Sequence, residues 1–185
     1  MRIISGYLKG RRLCTFKGSS IRPTSDARRE ALFNIIGSDV KQKIVLDLFA
    51  GTGALGLEAL SRGASSIVFI DNSKNALGLI KKNINLCGVK EQVNIIKWDI
   101  TKNLNCLKHL IFDLIFIDPP YNKNLIEPSL INLHNASCLN ADAFIIIEHS
   151  KTEPLPQNDH FCLFDERKYG KTKLSFLKCC IKEKI

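Results

Sequence analysis

The chain has 185 residues, of which 45% are hydrophobic and 24% are charged, and its formal net charge is +9. This length predicts one domain that can bury a hydrophobic core and leaves no space for a separate recognition domain of ordinary size. The composition excludes disordered and collagen-like chains. Apolar stretches are too short for a membrane helix, and Met1–Arg12 lacks the apolar segment of a signal peptide, so we expect a cytoplasmic protein that binds no membrane.

The positive charge is concentrated at the two ends of the chain. Residues 1–30 contain eight basic and two acidic side chains, and residues 167–185 contain seven basic and one acidic. Residues 31–166 contain twelve basic and fifteen acidic side chains, so they are slightly negative. This distribution favours a polyanionic partner such as a nucleic acid.

Seven cysteines are present, with no C-x-x-C pair and no spacing typical of a zinc site or a disulfide framework. Most stand among apolar neighbours, where a free cysteine behaves as a small hydrophobic residue. We therefore expect seven inert thiols in a reducing compartment and no metal site.

The middle of the chain alternates between predicted strands and helices. The predicted strands are Lys43–Phe49, Ser66–Asp71, Val93–Trp98, Asp113–Ile117 and Ala143–Glu148. The predicted helices are Ala54–Arg62, a helix from the Asn72/Ser73 cap to Leu86, and two helices near residues 103–109 and 125–137. Because the strands are nearly continuous in Val, Ile and Leu, they predict an α/β fold with a mostly parallel sheet that is covered on both faces.

The two ends of the chain depart from this alternation. The predicted elements are a C-terminal antiparallel hairpin at the sheet edge, Phe161–Lys168 with Leu174–Ile181, and a basic N-terminal β-hairpin, Arg2–Tyr7 with Arg12–Phe16. A helix from Ser25 or Asp26 to about Ile36 follows the N-terminal hairpin. We therefore expect a small extension, residues 1–40, packed on a core domain, residues 41–185.

A glycine-rich segment, residues 47–56 (DLFAGTGALG), joins the first predicted strand to the next helix. Glycines allow a tight turn and a close approach of the backbone to a ligand, and the N–H groups of the helix terminus point toward that ligand. Asp71 ends the following strand, where a ribose diol would be held. This spacing alone is a weak signal, because it also fits NAD enzymes.

Carboxylates lie at the C-terminal ends of three adjacent predicted strands, at Asp47, Asp71 and Asp99. Asp47 and the Phe49-Ala50 pair suit a zwitterionic amino-acid tail better than a pyrophosphate, and Asp99 is placed to accept a hydrogen bond from an adenine amino group. A cationic, adenosine-bearing ligand such as S-adenosylmethionine is therefore favoured over NAD. The candidate cofactor residues are Asp47, Phe49, Ala50, Gly51, Thr52, Gly53, Asp71, Asn72 and Asp99.

The fourth predicted strand ends directly at Asp118-Pro119-Pro120-Tyr121. Prolines have no N–H group, so the loop offers hydrogen-bond acceptors and few donors. The Asp118 carboxylate and the Pro119 carbonyl can accept the two protons of an exocyclic amine and aim its lone pair at a methyl donor, while Tyr121 stacks on an unstacked base. We identify these four residues as the candidate catalytic loop, in which alignment supplies most of the acceleration.

Four segments together resemble the RsmD-type guanine methyltransferases of bacterial 16S ribosomal RNA. The segments are Met1–Leu13, Arg22–Ile36, Asp47–Ala64 and Ile115–Tyr121. The resemblance covers most of residues 1–122 and is weaker beyond them. It implies a Rossmann-like fold with a seven-stranded sheet. It further implies methyl transfer from S-adenosylmethionine, with S-adenosylhomocysteine as product, to the 2-amino group of one guanine in the small ribosomal subunit or a late assembly intermediate.

The resemblance also implies roles for individual residues. The amino-acid end of the cofactor would lie at the Asp47–Gly53 segment, its ribose at Asp71 and its adenine at Asp99. The RNA-binding candidates are Arg11, Arg12, Arg22, Thr24 and Arg28. Asp71 departs from the family, in which this position is more usually Glu, and Thr52 stands where Ser is frequent. We expect a monomer, because nothing in the sequence requires a dimer.

Several other functions share part of this pattern. An adenine-amino methyltransferase uses the same Asp-Pro-Pro-Tyr chemistry but generally has an added recognition region. Protein glutamine methylation uses a similar loop but does not explain the basic ends. An NAD-dependent oxidoreductase should show a proton donor near the nicotinamide, and a non-catalytic RNA-binding module should show a damaged cofactor or amine site.

Overall fold

A computed structural model of the protein describes residues 1–16 and 26–180. The helices in these ranges are α1 (Asp26–Ile36), α2 (Ala54–Ser61), α3 (Lys74–Cys87) and α4 (Ile126–Ala136). The strands are β1 (Ile44–Leu48), β2 (Ser66–Asp71), β3 (Val93–Lys97), β4 (Phe112–Ile117), β5 (Leu139–Ser150), β6 (Phe161–Tyr169) and β7 (Thr172–Cys179).

The seven strands form one sheet in the order β3-β2-β1-β4-β5-β7-β6. Strands β1 to β5 pair in parallel, and β7 pairs antiparallel with both β5 and β6. The predicted mostly parallel, seven-stranded sheet with an antiparallel C-terminal hairpin is therefore confirmed.

The hydrophobic core lies in two clusters, one on each face of the sheet. One cluster contains apolar side chains of α1, α2 and α3, and the other contains those of α4. Side chains of a strand alternate between the faces, so Val45 joins the first cluster and its neighbour Leu46 joins the second. The continuous apolar strands that the sequence shows are thus buried on both sides.

The helix predicted near residues 103–109 is wrong, because this segment contains only a single 3₁₀ turn, Asn105–Leu107. Polar side chains in and just before this segment form hydrogen bonds with backbone N–H groups two residues further along the chain. The Asn103 side chain accepts from the Asn105 N–H at 3.0 Å, and the Asp99 carboxylate accepts from the Thr101 N–H at 3.1 Å. Such local bonds compete with an α-helix. Strand β5 also extends beyond its predicted limits, to Leu139 at one end and Ser150 at the other.

The predicted N-terminal β-hairpin is also wrong as a pair of strands. Only one isolated antiparallel bridge forms, between Arg2 and Arg12. The chain instead curls through Gly6, at a φ of +81°, and lies on α2, where the Tyr7 N–H donates to the Ser61 carbonyl at 2.9 Å. A Cβ atom at Gly6 would lie 1.7 Å from that carbonyl oxygen. The two arms are still joined by backbone hydrogen bonds, from the Ile3 N–H to the Arg11 carbonyl at 2.9 Å and from the Leu13 N–H to the Met1 carbonyl at 3.1 Å, so the segment is a short antiparallel turn that lies on α2.

The expectation of seven free thiols is wrong for one pair, because Cys162 and Cys180 form a disulfide. Cys162 lies at the start of β6, and Cys180 directly follows β7, the strand with which β6 pairs. Their Cα atoms are 5.2 Å apart, a separation that suits a disulfide. The two cysteines are 18 positions apart in the sequence, and no local pattern indicates that they meet.

In residues 1–16 and 26–180, no helix has both the length and the apolar composition needed to cross a membrane. The same residues contain no group of three or more His, Cys, Asp or Glu side chains suited to a metal ion.

Candidate active site

Two loops leave the sheet side by side at the ends of β1 and β4. Leu48, the last residue of β1, pairs with Ile117, the last residue of β4. The glycine-rich segment and the Asp118–Tyr121 loop therefore begin at neighbouring positions. The strand order reverses between β1 and β4, and α2 and α4 pack on opposite faces of the sheet. In open α/β sheets, ligands bind in the crevice at such a reversal.

The glycine-rich loop has a left-handed backbone at Phe49, Gly51 and Gly53, with φ values of +61°, +56° and +76°. Asp71 of β2 holds this loop, because one carboxylate oxygen accepts from the Gly51 N–H at 2.9 Å and the other from the Ser73 N–H at 2.8 Å. A Cβ atom on Gly51 would meet only the Phe49 carbonyl, at 3.8 Å. The loop thus leaves open space beside its backbone.

Asp47 lies beneath this loop and is only 1% exposed. Its carboxylate accepts from the Gly56 N–H at 3.2 Å, which joins β1 to α2. Gly56 is required for close packing, since a Cβ atom there would lie 1.9 Å from Ile67 Cδ1 and 2.5 Å from the Phe69 ring. Burial, assisted by the charge of Asp71 and opposed by the Gly56 hydrogen bond, raises the pKa of Asp47 to about 8.

This raised pKa predicts a pH-dependent stability. An unfolded Asp loses its proton near pH 3.8, whereas folded Asp47 keeps it to about pH 8. Between these values the unfolded state loses this proton while the folded state keeps it, so the free energy of unfolding should fall by about 1.4 kcal/mol for each unit by which the pH rises. Urea unfolding at several pH values should show this decline in the wild type and a shallower one in Asp47→Asn. Equal slopes in the two proteins would contradict the shift.

Asn83 of α3 is a site-supporting residue that the sequence did not reveal. Its side chain is fully buried and donates to the Thr52 carbonyl at 2.9 Å. The same amide accepts from the Cys14 N–H at 2.7 Å and donates to the Cys14 carbonyl at 3.1 Å. Asn83 therefore ties the glycine-rich loop to the N-terminal segment. A polar residue on the inner face of an amphipathic helix is the only sequence signal of this role.

Asp99 lies in the turn after β3, at the same edge of the sheet as Asp71, whose carbonyl accepts from the Trp98 N–H at 3.2 Å. The pKa of Asp99 is lowered by hydrogen bonds from the Thr101 hydroxyl and N–H, with a smaller contribution from Lys102. Its carboxylate is therefore ionised at neutral pH. Asn72, which follows Asp71, is exposed.

In the Asp118–Tyr121 loop, Pro119 is buried, Asp118 is half-buried and Pro120 is exposed. Tyr121 is 37% exposed as a residue, and its hydroxyl donates to Glu148 at 2.9 Å. Burial and the charge of Glu148 raise the pKa of Tyr121 to about 12, so this hydroxyl stays protonated at neutral pH.

Glu148 and Thr172 are further site neighbours that the sequence did not identify. Arg28 of α1 donates to the Glu148 carboxylate, to the Thr172 hydroxyl at 2.8 Å and to the Tyr121 hydroxyl at 3.3 Å. A carboxylate near the end of an apolar strand was a usable signal for Glu148. The position of Thr172 depends on the pairing of β5 with β7, which the sequence does not show.

The predicted RNA-binding residues differ in their surroundings. Arg12 is exposed, whereas Arg11 donates to the Leu86 carbonyl of α3 at 2.5 Å. The Arg28 side chain is only 13% exposed and pairs with Glu148. Arg22 and Thr24 lie outside the residues that the structure describes.

The chain matches the family model described as "Conserved hypothetical protein 95" over residues 1–178. It is 34% identical to YlbH of Bacillus subtilis over 181 residues, which cover 96% of this chain and 98% of that protein. It is 35% identical to "Ribosomal RNA small subunit methyltransferase D" of Haemophilus influenzae, with 92% of this chain and 89% of that protein covered.

The fold agrees with that of a solved relative. The Escherichia coli protein yhhF superposes with a TM-score of 0.85 at 29% identity, and 97% of each chain is covered. A family match over nearly the whole chain, relatives above 30% identity and this shared fold all point the same way. The chain therefore belongs to the "Conserved hypothetical protein 95" family, the RsmD-type methyltransferase family that its motifs resemble.

Proposed function

We propose that this protein transfers a methyl group from S-adenosylmethionine to the exocyclic 2-amino group of one guanine in 16S ribosomal RNA. The observation that carries the proposal is the pairing of Leu48 with Ile117, which starts the glycine-rich loop and the Asp118–Tyr121 loop side by side. The name of the Haemophilus relative supports a substrate in the small ribosomal subunit. We further propose that the protein acts in the cytoplasm as a monomer.

The residues of the glycine-rich loop fit the proposed cofactor. The open space beside Gly51 admits a ligand against the backbone, and Asp71 and Asp99 supply carboxylates at the same edge of the sheet. Asp47–Gly53 would hold the amino-acid end, Asp71 and Asn72 the ribose, and Asp99 the adenine. When bound, S-adenosylmethionine supplies an electrophilic methyl group on a sulfonium.

The catalytic loop would orient the nucleophile. The amino nitrogen of guanine is a poor nucleophile, because its lone pair is delocalised into the ring. The Asp118 carboxylate and the Pro119 carbonyl would accept hydrogen bonds from the two N–H groups of this amine. They would thereby direct the nitrogen lone pair out of the plane of the guanine ring. Tyr121 would stack on the unstacked base. A strong general base is not required, since the nitrogen becomes acidic once it is methylated, and alignment supplies most of the rate.

The RNA-binding candidates would contact the substrate beyond the target base. Arg12, as an exposed cation of the N-terminal segment, suits a phosphate contact, and we propose the same for Arg11, Arg22 and Thr24. Arg28 was predicted for this group. Its pairing with Glu148 supports a different role, in the positioning of Tyr121.

The test is methyl transfer from labelled S-adenosylmethionine to small ribosomal subunits that lack the modification. We expect labelling of these subunits well above that of duplex DNA of equal nucleotide concentration. Subunits that already carry the modification serve as the control and should take up no label. Equal or stronger labelling of the DNA would contradict the ribosomal substrate and favour an adenine-amino methyltransferase.

A further inference from the structure

Tyr121 of the catalytic loop is held at its hydroxyl by three side chains from three different elements. The hydroxyl donates to Glu148 of β5 at 2.9 Å, lies 3.2 Å from the Thr172 hydroxyl of β7, and accepts from Arg28 of α1 at 3.3 Å. We infer that Arg28 and Glu148 are positioning residues for methyl transfer, which fix the orientation of the Tyr121 ring. This inference rests on the proposed function and assigns a role to a cluster outside the cofactor and amine contacts.

The Arg28–Glu148 ion pair of this cluster is shielded from solvent. The side chains of Arg28 and Glu148 are 13% and 5% exposed. Burial lowers the pKa of Arg28, but Glu148, Tyr121 and Asp118 raise it by a larger amount, so the net shift is upward. The guanidinium therefore interacts with the carboxylates of both Glu148 and Asp118. Removing this cation would leave Glu148 buried without its ion-pair partner.

The backbone of the loop alone does not determine where the Tyr121 ring points. Pro119 and Pro120 restrict the backbone, but a tyrosine side chain still has rotatable bonds. Bonds to the hydroxyl from β5, β7 and α1 restrict this rotation at the far end of the ring. A stacking platform with one fixed orientation would place the base at a constant distance from Asp118, and small misplacements are costly for an alignment-dependent reaction.

The geometry of Arg28 also argues against a phosphate contact. A guanidinium that binds RNA must offer donors to solvent, whereas the Arg28 side chain is only 13% exposed and one of its terminal nitrogens already lies within hydrogen-bond distance of Glu148, Thr172 and Tyr121. Arginine suits such a bridge because its planar group presents several donors in fixed directions. Arg28 lies in the first turn of α1, so its contacts with Glu148 and Tyr121 also hold this helix to the catalytic loop.

A double-mutant cycle on kcat tests this role. Tyr121→Phe keeps the stacking ring and removes its hydroxyl. Glu148→Gln removes the negative charge of the side chain that accepts from this hydroxyl. We expect each variant to lower kcat about tenfold, with the dissociation constant for S-adenosylmethionine unchanged. Because both changes release the same ring, we expect the double variant to be little worse than either single variant. Multiplied losses, or wild-type kcat in Tyr121→Phe, would overturn the inference.

Two further variants separate positioning from RNA binding and from general stability. Arg28→Gln should lower kcat and leave the salt dependence of RNA binding unchanged, whereas Arg12→Gln should reduce that salt slope by about one. A reduced slope in Arg28→Gln would overturn the inference. Arg62→Gln is the matched control, since Arg62 forms a comparably buried pair with Glu58 on α2, and its kcat should be that of the wild type.

A replacement variant and the activity of the wild type distinguish misfolding, failure of the proposed function and failure of the positioning role. If Glu148→Gln does not fold, Thr172→Val replaces it in the cycle, because this change removes one hydroxyl partner without burying an unpaired charge. The same result is expected, and multiplied losses would again overturn the inference. If the wild-type protein transfers no methyl group to small subunits, the proposed function fails. If the wild type is active but the cycle shows no coupling, only the positioning role fails.

Discussion

Asp118→Ala should abolish detectable methyl transfer to small subunits and leave S-adenosylmethionine binding close to that of the wild type. The reason is that the variant loses one of the two acceptors that orient the amine, while the glycine-rich loop and Asp71 are untouched. Loss of a single aligned hydrogen-bonding group in an active site lowers kcat by about a hundredfold or more. Single-turnover rates with labelled cofactor, together with calorimetric titration of the cofactor, measure the two quantities separately.

Two control variants make this result specific. Asp118→Asn keeps an oxygen acceptor at the same position, so we expect it to retain more activity than Asp118→Ala. Asp142→Ala removes an exposed carboxylate near the start of β5 and should have wild-type kcat. Wild-type turnover in Asp118→Ala would remove this carboxylate from the mechanism, and a large loss of cofactor binding would assign it to the cofactor instead.

Glu58→Ala should destabilise the fold by about 3–5 kcal/mol, because it removes the buried half of an ion-pair network and leaves the fully buried Arg29 with only the half-exposed Asp26 as a charge partner, at 3.0 Å. Glu58 of α2 is itself fully buried and lies 3.6 Å from the guanidinium of Arg29. Its carboxylate also accepts from the N–H groups of Ile4 and Ser5, at 2.8 and 3.0 Å, and from Arg62 at 2.7 Å. One carboxylate thus joins the N-terminal segment, α1 and α2.

Urea unfolding of Glu58→Ala and of Glu127→Ala measures this effect against an exposed glutamate. Glu127 lies on the exposed side of α4, and its removal should change the free energy of unfolding by less than about 0.5 kcal/mol. A similar small change in Glu58→Ala would mean that the buried pair does not hold the N-terminal segment to α2. Limited proteolysis should cut the first residues of Glu58→Ala faster than those of the wild type.

The parallel part of the fold was predictable because its signals are local. Each of the strands β1 to β4 is a short stretch rich in Val, Ile, Leu or Phe, and the chirality of parallel connections limits how such strands and helices can be arranged. The meeting of the glycine-rich loop with Asp118 was predictable for the same reason, since the carboxyl ends of parallel strands share one edge.

The contacts that the sequence did not reveal all join distant segments. Glu58 resembles any other helical glutamate in the sequence, yet its carboxylate accepts from the N–H groups of Ile4 and Ser5 and so holds the N-terminal segment on α2. Cys162 and Cys180 meet only through the pairing of β6 with β7. The Arg28–Glu148 pair brings the start of α1 to the end of β5, and no local sequence pattern predicts this contact.

Identification of the methylated nucleoside is the most direct test of methyl transfer to the 2-amino group of guanine. Small subunits that lack the modification are incubated with the protein and S-adenosylmethionine carrying a heavy methyl group, and their RNA is digested to nucleosides for mass spectrometry. We expect the heavy label in 2-methylguanosine from 16S ribosomal RNA, and in no other nucleoside. Label in 6-methyladenosine, or 16S ribosomal RNA without label, would contradict it.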